Sequence, residues 1–411
     1  MNPLPPADAE ARREGNPPAR RGFAPPVGGW LALDGLRGVA ILLVIAFHYL
    51  GTWAELSPGA SGLFHLARGG WVGVDLFFAL SGFLITGILI RSRGRPGWIR
   101  NFYARRTLRI FPLYYLCLAL IFGLGALVPA LRSEGFLRIA EIQGWLWLYA
   151  SNIKVAINQQ WQTFGLFGGD WVELSHLWSL AVEEQFYLVW PALIALTPTR
   201  HRLRLALGAF AVALLLRLAF LHHGNVIAAY QLMPCRMDAL ATGAFIALLA
   251  DRDGDCARLL RWARPTAAIA VAAIAGIWIL RGAFWQRDPV VAGLGFSLVA
   301  LLSGCLVVFA IALPRSHACV RLLRTRPLRR IGEVSYAMYI LHFALLKILF
   351  LPITPVERLA PLLGSEAAVI VLRFAIVCVT TYALARLSWR FWERPFLALK
   401  ANFGAPDRSA S

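Results

Sequence analysis

Residues 33–49 read LDGLRGVAILLVIAFHY, and the organisation of the whole chain follows from this stretch. It begins with a polar collar, Asp34 to Gly38, and continues as an apolar segment that carries one histidine, His48. An ionisable residue is costly to place inside a membrane span, so His48 indicates a functional site. In a regular α-helix, Arg37 and His48 project from nearly the same face, about 16 Å apart along the axis. We therefore expect a cation at the membrane surface and an imidazole near mid-depth on one helix face.

The composition is that of a membrane protein. Of the 411 residues, 58% are hydrophobic and only 15% are charged, and the mean hydropathy is +0.61. The net charge of +19 would suggest a nucleic-acid partner in a soluble protein, but here the basic residues lie in short segments between apolar runs. That pattern indicates membrane topology and contact with acidic lipid head groups. We therefore expect the lipid bilayer, and no nucleic acid, as a partner.

Apolar runs of about twenty residues predict an all-α polytopic membrane protein, a bundle of about ten transmembrane helices. The predicted segments that would face the inside hold 27 Lys and Arg residues and those facing the outside hold 7, which places both termini in the cytoplasm. The predicted spans are 36–54, 71–90, 108–130, 174–196, 203–221, 230–250, 263–280, 290–313, 331–351 and 368–389.

The chain divides into a disordered cytoplasmic tail (1–29), a membrane domain (30–398) and a short cytoplasmic tail (399–411). The six cysteines show no paired spacing, so neither a disulfide framework nor a metal site is expected. The outer connection 131–173 is rich in Trp, which is typical of an interfacial belt, although contact with the apolar part of an acceptor is a second possibility. We find no internal repeat of the kind that builds many transporters.

Several ionisable side chains fall at one predicted depth. His48 lies about 18 Å from the inner end of its span and Glu183 and Glu184 about 15 Å from the outer end, in a hydrocarbon core roughly 30 Å thick. His342 reaches a similar level, so we expect these residues to line a polar cavity inside the bundle. An imidazole beside a carboxylate suits general-base catalysis. The alternative for both histidines is a buried polar network that only holds helices together.

Arg105, Arg106 and Arg109 stand at the predicted inner start of the third span. Arg105 and Arg109 are four residues apart and share a helix face, and a helix N-terminus would add positive potential. This pattern predicts a site for a phosphorylated ligand, because guanidinium groups bind phosphate in a bidentate manner. Ordinary positive-inside charge is the alternative. Asp75, in the second span, needs a partner, for which His48 or a nearby arginine is suitable.

Taken together, these stretches resemble the acyltransferase 3 family of integral membrane O-acyltransferases over about residues 30–398. The resemblance rests on ordered motifs rather than on any single one. They are the stretch 34–48, Gly73-Val74-Asp75-Leu76-Phe77-Phe78 with Ser81-Gly82-Phe83, Arg105-Arg106 with Arg109-Ile110 and Pro112, Leu177-Trp178-Ser179-Leu180 with Val182-Glu183-Glu184-Gln185-Phe186-Tyr187, Ser335-Tyr336 with Tyr339 and His342, and Trp392-Glu393-Arg394-Pro395.

The resemblance implies an enzyme of the bacterial inner membrane that moves an acyl group, often acetyl, from cytoplasmic acyl-CoA to a hydroxyl of a glycan, lipid-linked or small-molecule acceptor. His48 matches the family's catalytic histidine, and Glu184 matches an acidic motif position. We therefore assign catalysis to His48, Glu184 and Asp75, and binding of acyl-CoA as donor substrate to Arg37, Arg105, Arg106 and Arg109, with no metal and no tightly bound cofactor.

Two routes and two rival functions remain open from the sequence. His48 can take the proton of the attacking hydroxyl, or it can itself become transiently acylated. A transporter or flippase would use the same intramembrane charges as a relay. A non-catalytic membrane partner would use them only to pack helices.

Overall fold

The described part of the chain is built from helices. The computed structural model describes residues 30–51, 62–129, 132–165, 174–253, 256–350 and 356–404, and none of these residues lies in a β-strand. The α-helices of the first half are α1 (Leu31–Ala46), α2 (Gly62–Ala67), α3 (Val72–Ser92), α4 (Trp98–Leu127), α5 (Glu134–Ile142), α6 (Gly144–Trp147), α7 (Ser151–Asn158), α8 (Trp178–Leu196) and α9 (Arg202–His222). The remaining α-helices are α10 (Val226–Gln231), α11 (Met233–Asp253), α12 (Cys256–Arg281), α13 (Phe296–Ala312), α14 (Ala318–Leu323), α15 (Arg326–Glu333), α16 (Ser335–Phe350), α17 (Val356–Leu363), α18 (Glu366–Ser388) and α19 (Arg394–Ala398).

Eight helical segments of the described residues are long and apolar enough to cross a membrane, so the chain is a multi-pass membrane protein. Each of the eight overlaps a predicted span. The other two predicted spans, 174–196 and 331–351, fold as α8 and α16, which have 19 and 16 residues and are not among the eight. The run 331–351 is interrupted because α15 ends at Glu333 and α16 begins at Ser335, which leaves a helix of only about 24 Å. The predicted tail 1–29 lies outside the described residues.

The glycines of the polar collar let α1 pack closely against the segment 323–332. A Cβ at Gly35 would lie 1.8 Å from the carbonyl oxygen of Leu323, and one at Gly38 would lie 2.3 Å from that of Leu328. From the other side, a Cβ at Gly332 would lie 1.7 Å from the carbonyl oxygen of Asp34. Small residues at membrane helix contacts allow this approach. The collar is therefore a packing element as well as a carrier of charge.

A second close crossing joins α3 to α11. A Cβ at Gly82 would lie 1.9 Å from the carbonyl oxygen of Leu240, and one at Gly243 would lie 1.9 Å from that of Ala79. These contacts fix α3, which carries Asp75 and Ser81, against the centre of the bundle. Helix α12 instead exposes large apolar side chains, including Trp262, Ile279 and Leu280, as expected of a surface that faces lipid.

Candidate functional site

A cavity of about 100 Å³ opens between α1, α3, α4, α8 and α16. We call it the arginine cavity, because three guanidinium groups line it, those of Arg37, Arg106 and Arg109. Its wall also contains the carboxylates of Glu183 and Glu184. The remaining lining residues are Val74, Phe77, Phe78, Ser81, Ile110, Ser179, Leu180, Tyr187, Ser335, Tyr336 and Tyr339. Residues from five predicted motifs therefore meet at one place.

Arg106 and Arg109 present their donors to this cavity. Neither forms an ion pair with a described residue, and each guanidinium instead stacks on an aromatic ring, Arg106 on Tyr187 at 5.1 Å and Arg109 on Trp389 at 5.2 Å. Stacking orients a guanidinium without using its N–H groups. The two side chains lie three residues apart on α4, so their donors converge on one face of the helix. Together they suit an anionic group of a ligand.

Arg105 has a different role from the one predicted. Its guanidinium donates to the carbonyl oxygens of Lys400, at 3.0 Å, and Phe403, at 3.2 Å, and so holds the end of the chain that follows α19. Arg106, rather than Arg105, lines the cavity together with Arg109. Since α4 begins at Trp98, these arginines lie beyond its first turn, where the positive potential of a helix N-terminus has faded. The prediction that a helix N-terminus adds positive potential at Arg105 and Arg109 is therefore wrong.

The two carboxylates of the cavity differ in their contacts. Glu183 accepts a hydrogen bond from Ser81 at 2.7 Å, and Ser81 in turn accepts one from Tyr187 at 3.0 Å. The Oε1 atom of Glu184 is buried and has no hydrogen-bond partner among the described residues. Burial of a polar atom without a partner costs free energy. Glu184 is consequently the carboxylate of this cavity that has hydrogen-bonding capacity to spare.

His48 lies in a π-helical turn at the end of α1. The regular helix ends at Ala46, and Phe47–Gly51 form a π-helix, whose hydrogen bonds span five residues. Arg37 lines the arginine cavity, and His48 is not among its lining residues. That Arg37 and His48 share one helix face stays a prediction.

The partner of His48 is a second histidine. Nε2 of the fully buried His342 lies 3.0 Å from Nδ1 of His48, and Nδ1 of His342 lies 2.6 Å from the carbonyl oxygen of Tyr339. A carbonyl oxygen can only accept, so Nδ1 of His342 carries the proton and its Nε2 accepts. In that arrangement Nδ1 of His48 donates to Nε2 of His342. His48 is partly buried, whereas His342 is completely buried.

The described neighbours of His48 include aromatic and imidazole rings. His48 contacts Phe343, with ring centroids 4.7 Å apart, and His176 packs on His342 at 5.2 Å. Glu183 and Glu184 lie in the wall of the arginine cavity instead. His176 was not singled out from the sequence, although it lies in the predicted span 174–196 that carries the two glutamates. The predicted pairing of His48 with Glu183 or Glu184 is therefore not found among the contacts of the described residues.

Tyr339 joins the arginine cavity to the histidines. It lines the cavity, its hydroxyl lies 2.6 Å from that of Ser179, and it donates to the carbonyl oxygen of His176 at 2.9 Å. Its own carbonyl oxygen accepts from His342. Tyr49, the neighbour of His48 in the chain, donates its hydroxyl to the carbonyl oxygen of His342 at 2.6 Å. Tyr339 and His342 thus connect the arginine cavity with His48.

Asp75 belongs to a separate buried ion pair. It contacts Arg236 at 2.7 Å, and both side chains are completely buried. Of the two partners predicted for Asp75, the structure therefore gives an arginine rather than His48. A second pair, Arg217 with Asp238 at 2.7 Å, lies nearby and is bridged by Ser297. The sequence reasoning missed these partners, although charged residues inside the predicted spans 203–221 and 230–250 signalled them.

The Trp-rich connection folds against α4. Trp147 stacks on Tyr115 with ring centroids 5.7 Å apart, and Tyr114 donates to the carbonyl oxygen of Leu146 at 2.8 Å. The last of its tryptophans, Trp171, lies outside the described residues. Whether this segment contacts an acceptor stays a prediction.

Comparison with known proteins supports one family. The acyltransferase 3 family model, described as an acyltransferase domain, matches residues 30–390. The peptidoglycan O-acetyltransferase OatA of Listeria monocytogenes is 28% identical over 384 residues, which is 89% of this chain and 55% of the relative. The O-acetyltransferase OatA of Staphylococcus aureus is 27% identical over 378 residues, 88% of this chain and 56% of the relative. The chain spans about half the length of these curated relatives, and no solved structure matches it.

Proposed function

Because the chain belongs to the acyltransferase 3 family, we propose that it is a membrane O-acyltransferase that moves an acetyl group from acetyl-CoA to a hydroxyl of a cell-wall glycan. The pairing of His48 with His342 carries this proposal, because a ring nitrogen of the buried His342 lies 3.0 Å from Nδ1 of His48 and can hold that imidazole in one orientation. The relatives named for peptidoglycan O-acetylation support acetyl as the group and a carbohydrate as the acceptor. We place the enzyme in the bacterial inner membrane.

The arginine cavity is the proposed entry for the donor. Arg106 and Arg109 offer guanidinium donors that form no ion pair with a described residue, and Arg37 adds a third positive charge. The phosphate groups of a nucleotide carrier match such donors in charge and geometry. A cavity of about 100 Å³ cannot hold a whole coenzyme, so we infer that the nucleotide stays at its mouth and only the narrow pantetheine arm enters.

The proposed chemistry is a direct transfer with His48 as general base. Nε2 of His48 takes the proton of the acceptor hydroxyl while the oxygen attacks the thioester carbonyl carbon. As the C–S bond breaks, the sulfur leaves and receives that proton, so the products are the ester and the free thiol. His342 is a positioning residue in this scheme, because its Nε2 accepts from Nδ1 of His48 and holds the required tautomer.

Glu184 and Asp75 have different roles in this scheme. Glu184 lines the cavity with a carboxylate oxygen that has no partner among the described residues, so a donor group can contact it directly. We propose that it orients the pantetheine amide groups by accepting a hydrogen bond. Asp75 acts through its ion pair with Arg236 and stabilises the bundle. The family assignment does not favour the transporter alternative.

The test is acetyl transfer by purified protein in lipid nanodiscs without any gradient. Radiolabelled acetyl-CoA is supplied with a soluble oligosaccharide of alternating N-acetylglucosamine and N-acetylmuramic acid, and label on the sugar is measured. We expect transfer by the wild type and none by His48→Ala, while His317→Ala, a change at an exposed histidine, keeps full activity. Equal transfer by wild type and His48→Ala would contradict the mechanism. Label that stays on the protein after denaturation would indicate the acyl-histidine route instead.

A further inference from the structure

A second cavity lies at the opposite end of α1 from Arg37. It has a volume of about 210 Å³ and is lined by three aromatic side chains, Trp278, Phe284 and Trp285, together with His65 and Arg68. We call it the Trp285 cavity. Gly51 lies at the end of the π-helical turn that carries His48. It packs closely on Arg68 in the cavity wall, where a Cβ on Gly51 would lie 2.9 Å from Cα of Arg68. Arg37 and Gly51 are about 21 Å apart along the helix axis.

The wall of the Trp285 cavity is held in place from the bundle. Phe284 stacks on the buried Trp71 with ring centroids 5.6 Å apart, and the indole N–H of Trp71 donates to the carbonyl oxygen of Phe284 at 3.3 Å. Because Trp71 directly precedes α3, these contacts tie the segment 282–285 to the central helices. A site that is already ordered loses little entropy on binding a ligand.

Guanidinium groups frame the aromatic surface. The guanidinium of Arg68 lies 4.2 Å from the ring centre of Trp285, and that of Arg287 lies 5.2 Å from it and 5.1 Å from the ring of Trp161. Arg287 is exposed and makes no ion pair with a described residue, so its N–H groups are available to an anion. Aromatic rings beside a free guanidinium provide a flat apolar face and an anion-binding edge in one place.

Polar atoms beside the cavity also lack partners. The indole N–H of Trp285 and the side-chain oxygen of Gln286, which is 7% exposed, have no hydrogen-bond partner among the described residues. Of these two residues, Trp285 lines the cavity. Its indole N–H is a donor that a hydroxyl or amide oxygen of a ligand can satisfy and that an apolar ligand would leave unsatisfied.

We propose that the Trp285 cavity binds the acceptor, as a carboxylate-bearing amino-sugar glycan, on the side of His48 opposite to the donor. A sugar ring has an apolar face of C–H groups that stacks on an indole, and a carboxylate substituent pairs with Arg287. The volume is below the roughly 300 Å³ at which pockets begin to hold drug-sized ligands, so it takes one ring of a longer chain. This inference rests on the proposed function, since it supplies the second substrate of that transfer.

The test compares two ligands on protein in nanodiscs of zwitterionic lipid. The charged probe is a tetrasaccharide of alternating N-acetylglucosamine and N-acetylmuramic acid, and the neutral probe is the N-acetylglucosamine tetramer. We expect the charged probe to bind at least tenfold more tightly, Arg287→Ala to abolish that preference, and Trp285→Leu to weaken both probes tenfold or more. Trp285→Phe should retain most of the affinity because it keeps an aromatic face. Arg138→Ala, at an exposed arginine of the connection 132–165, is the matched control with unchanged affinity.

Several outcomes would overturn the assignment. Unchanged affinity in Arg287→Ala and Trp285→Leu would exclude the cavity as the glycan site. Loss of binding to vesicles of anionic lipid in those variants, with glycan affinity intact, would assign the cavity to a lipid head group. Acetyl-CoA binding is measured on the same samples and separates the two proposals. Glycan binding at Trp285 without any acetyl transfer would contradict the proposed function alone, whereas transfer with an unchanged KM for glycan in these variants would contradict this inference alone.

Discussion

Asp75 and Arg236 form an ion pair of 2.7 Å whose side chains are both completely buried, although 161 residues separate them in the chain. The guanidinium of Arg236 also lies 4.3 Å from the ring centre of Phe296 on α13. Three central helices, α3, α11 and α13, thus converge on one guanidinium. A position that resembles a catalytic motif in the sequence therefore serves in the structure to hold the bundle together.

Asp75→Asn should destabilise the protein without a specific loss of catalysis. Removing one member of a buried ion pair leaves the other charge uncompensated and costs about 3–5 kcal/mol. The measurement is thermal unfolding in detergent, together with activity per folded molecule. The double variant Asp75→Leu with Arg236→Leu should recover part of the loss, because no unpaired charge remains.

The exposed pair Arg281–Asp288 serves as the control for that experiment. Arg281→Ala removes this ion pair and should lower the free energy of unfolding by no more than about 1 kcal/mol, because solvent screens the pair. If Asp75→Asn proved as stable as the wild type yet inactive, Asp75 would have to be returned to the catalytic residues.

The sequence predicted the helices better than it predicted their neighbours. Apolar runs place a segment in the membrane, and eight of the ten predicted spans coincide with helices able to cross it. Depth follows from counting residues along such a helix. The side that a residue faces also depends on local helix geometry, and His48 lies in the π-helical turn Phe47–Gly51. No periodicity in the apolar residues signals that turn.

Contacts across the bundle were the other limit of the sequence. His48 and His342 are 294 residues apart, and their pairing depends on how α1 and α16 pack. The sequence placed both at one depth but equally permitted the glutamates to be the partner. Of the three arginines that it named on α4, Arg106 and Arg109 line the cavity, whereas Arg105 donates to carbonyl oxygens near the end of the described chain.

Replacing His342 should reduce turnover while leaving substrate binding intact. In His342→Leu no side-chain atom accepts from Nδ1 of His48, so the ring can turn or adopt the other tautomer, and we expect kcat to fall roughly 100-fold with little change in KM. His342→Gln supplies an amide oxygen as acceptor and should restore part of kcat. Steady-state kinetics at equal folded yield measure both variants. A leucine variant with wild-type kcat, or a glutamine variant no better than leucine, would contradict the positioning role.

Arg106 and Arg109 should determine affinity for the nucleotide part of the donor. Loss of one hydrogen-bonded charge costs about 1.5–3 kcal/mol, so Arg109→Ala and Arg106→Ala should each raise the KM for acetyl-CoA by roughly 10- to 100-fold. With acetyl-pantetheine, which lacks the nucleotide, the same variants should perform like the wild type. Arg100→Ala, at an exposed arginine on α4, is the matched control.

Arg105 provides the sharper comparison on the same helix. Since its guanidinium is occupied by the carbonyl oxygens of Lys400 and Phe403, Arg105→Ala should leave the KM for acetyl-CoA within about twofold of the wild type and lower thermal stability instead, as expected when a charged hydrogen bond worth about 1.5–3 kcal/mol is lost. A large rise in KM for Arg105→Ala, with none for Arg106→Ala, would favour the pairing of Arg105 with Arg109 that the sequence predicted.

The contact between Gly332 and α1 should tolerate no side chain. In Gly332→Ala the new methyl group would meet the carbonyl oxygen of Asp34 at 1.7 Å, so α1 and α15 must separate, and overpacking of this kind typically costs about 1–3 kcal/mol. Because α1 also carries Arg37 and His48, the shift should reduce both stability and turnover. Gly276→Ala, in α12, meets no atom within 4 Å and should leave both unchanged. Thermal unfolding and acetyl transfer are measured on both variants. If Gly332→Ala were as stable and as active as Gly276→Ala, the close contact between Gly332 and α1 would be dispensable.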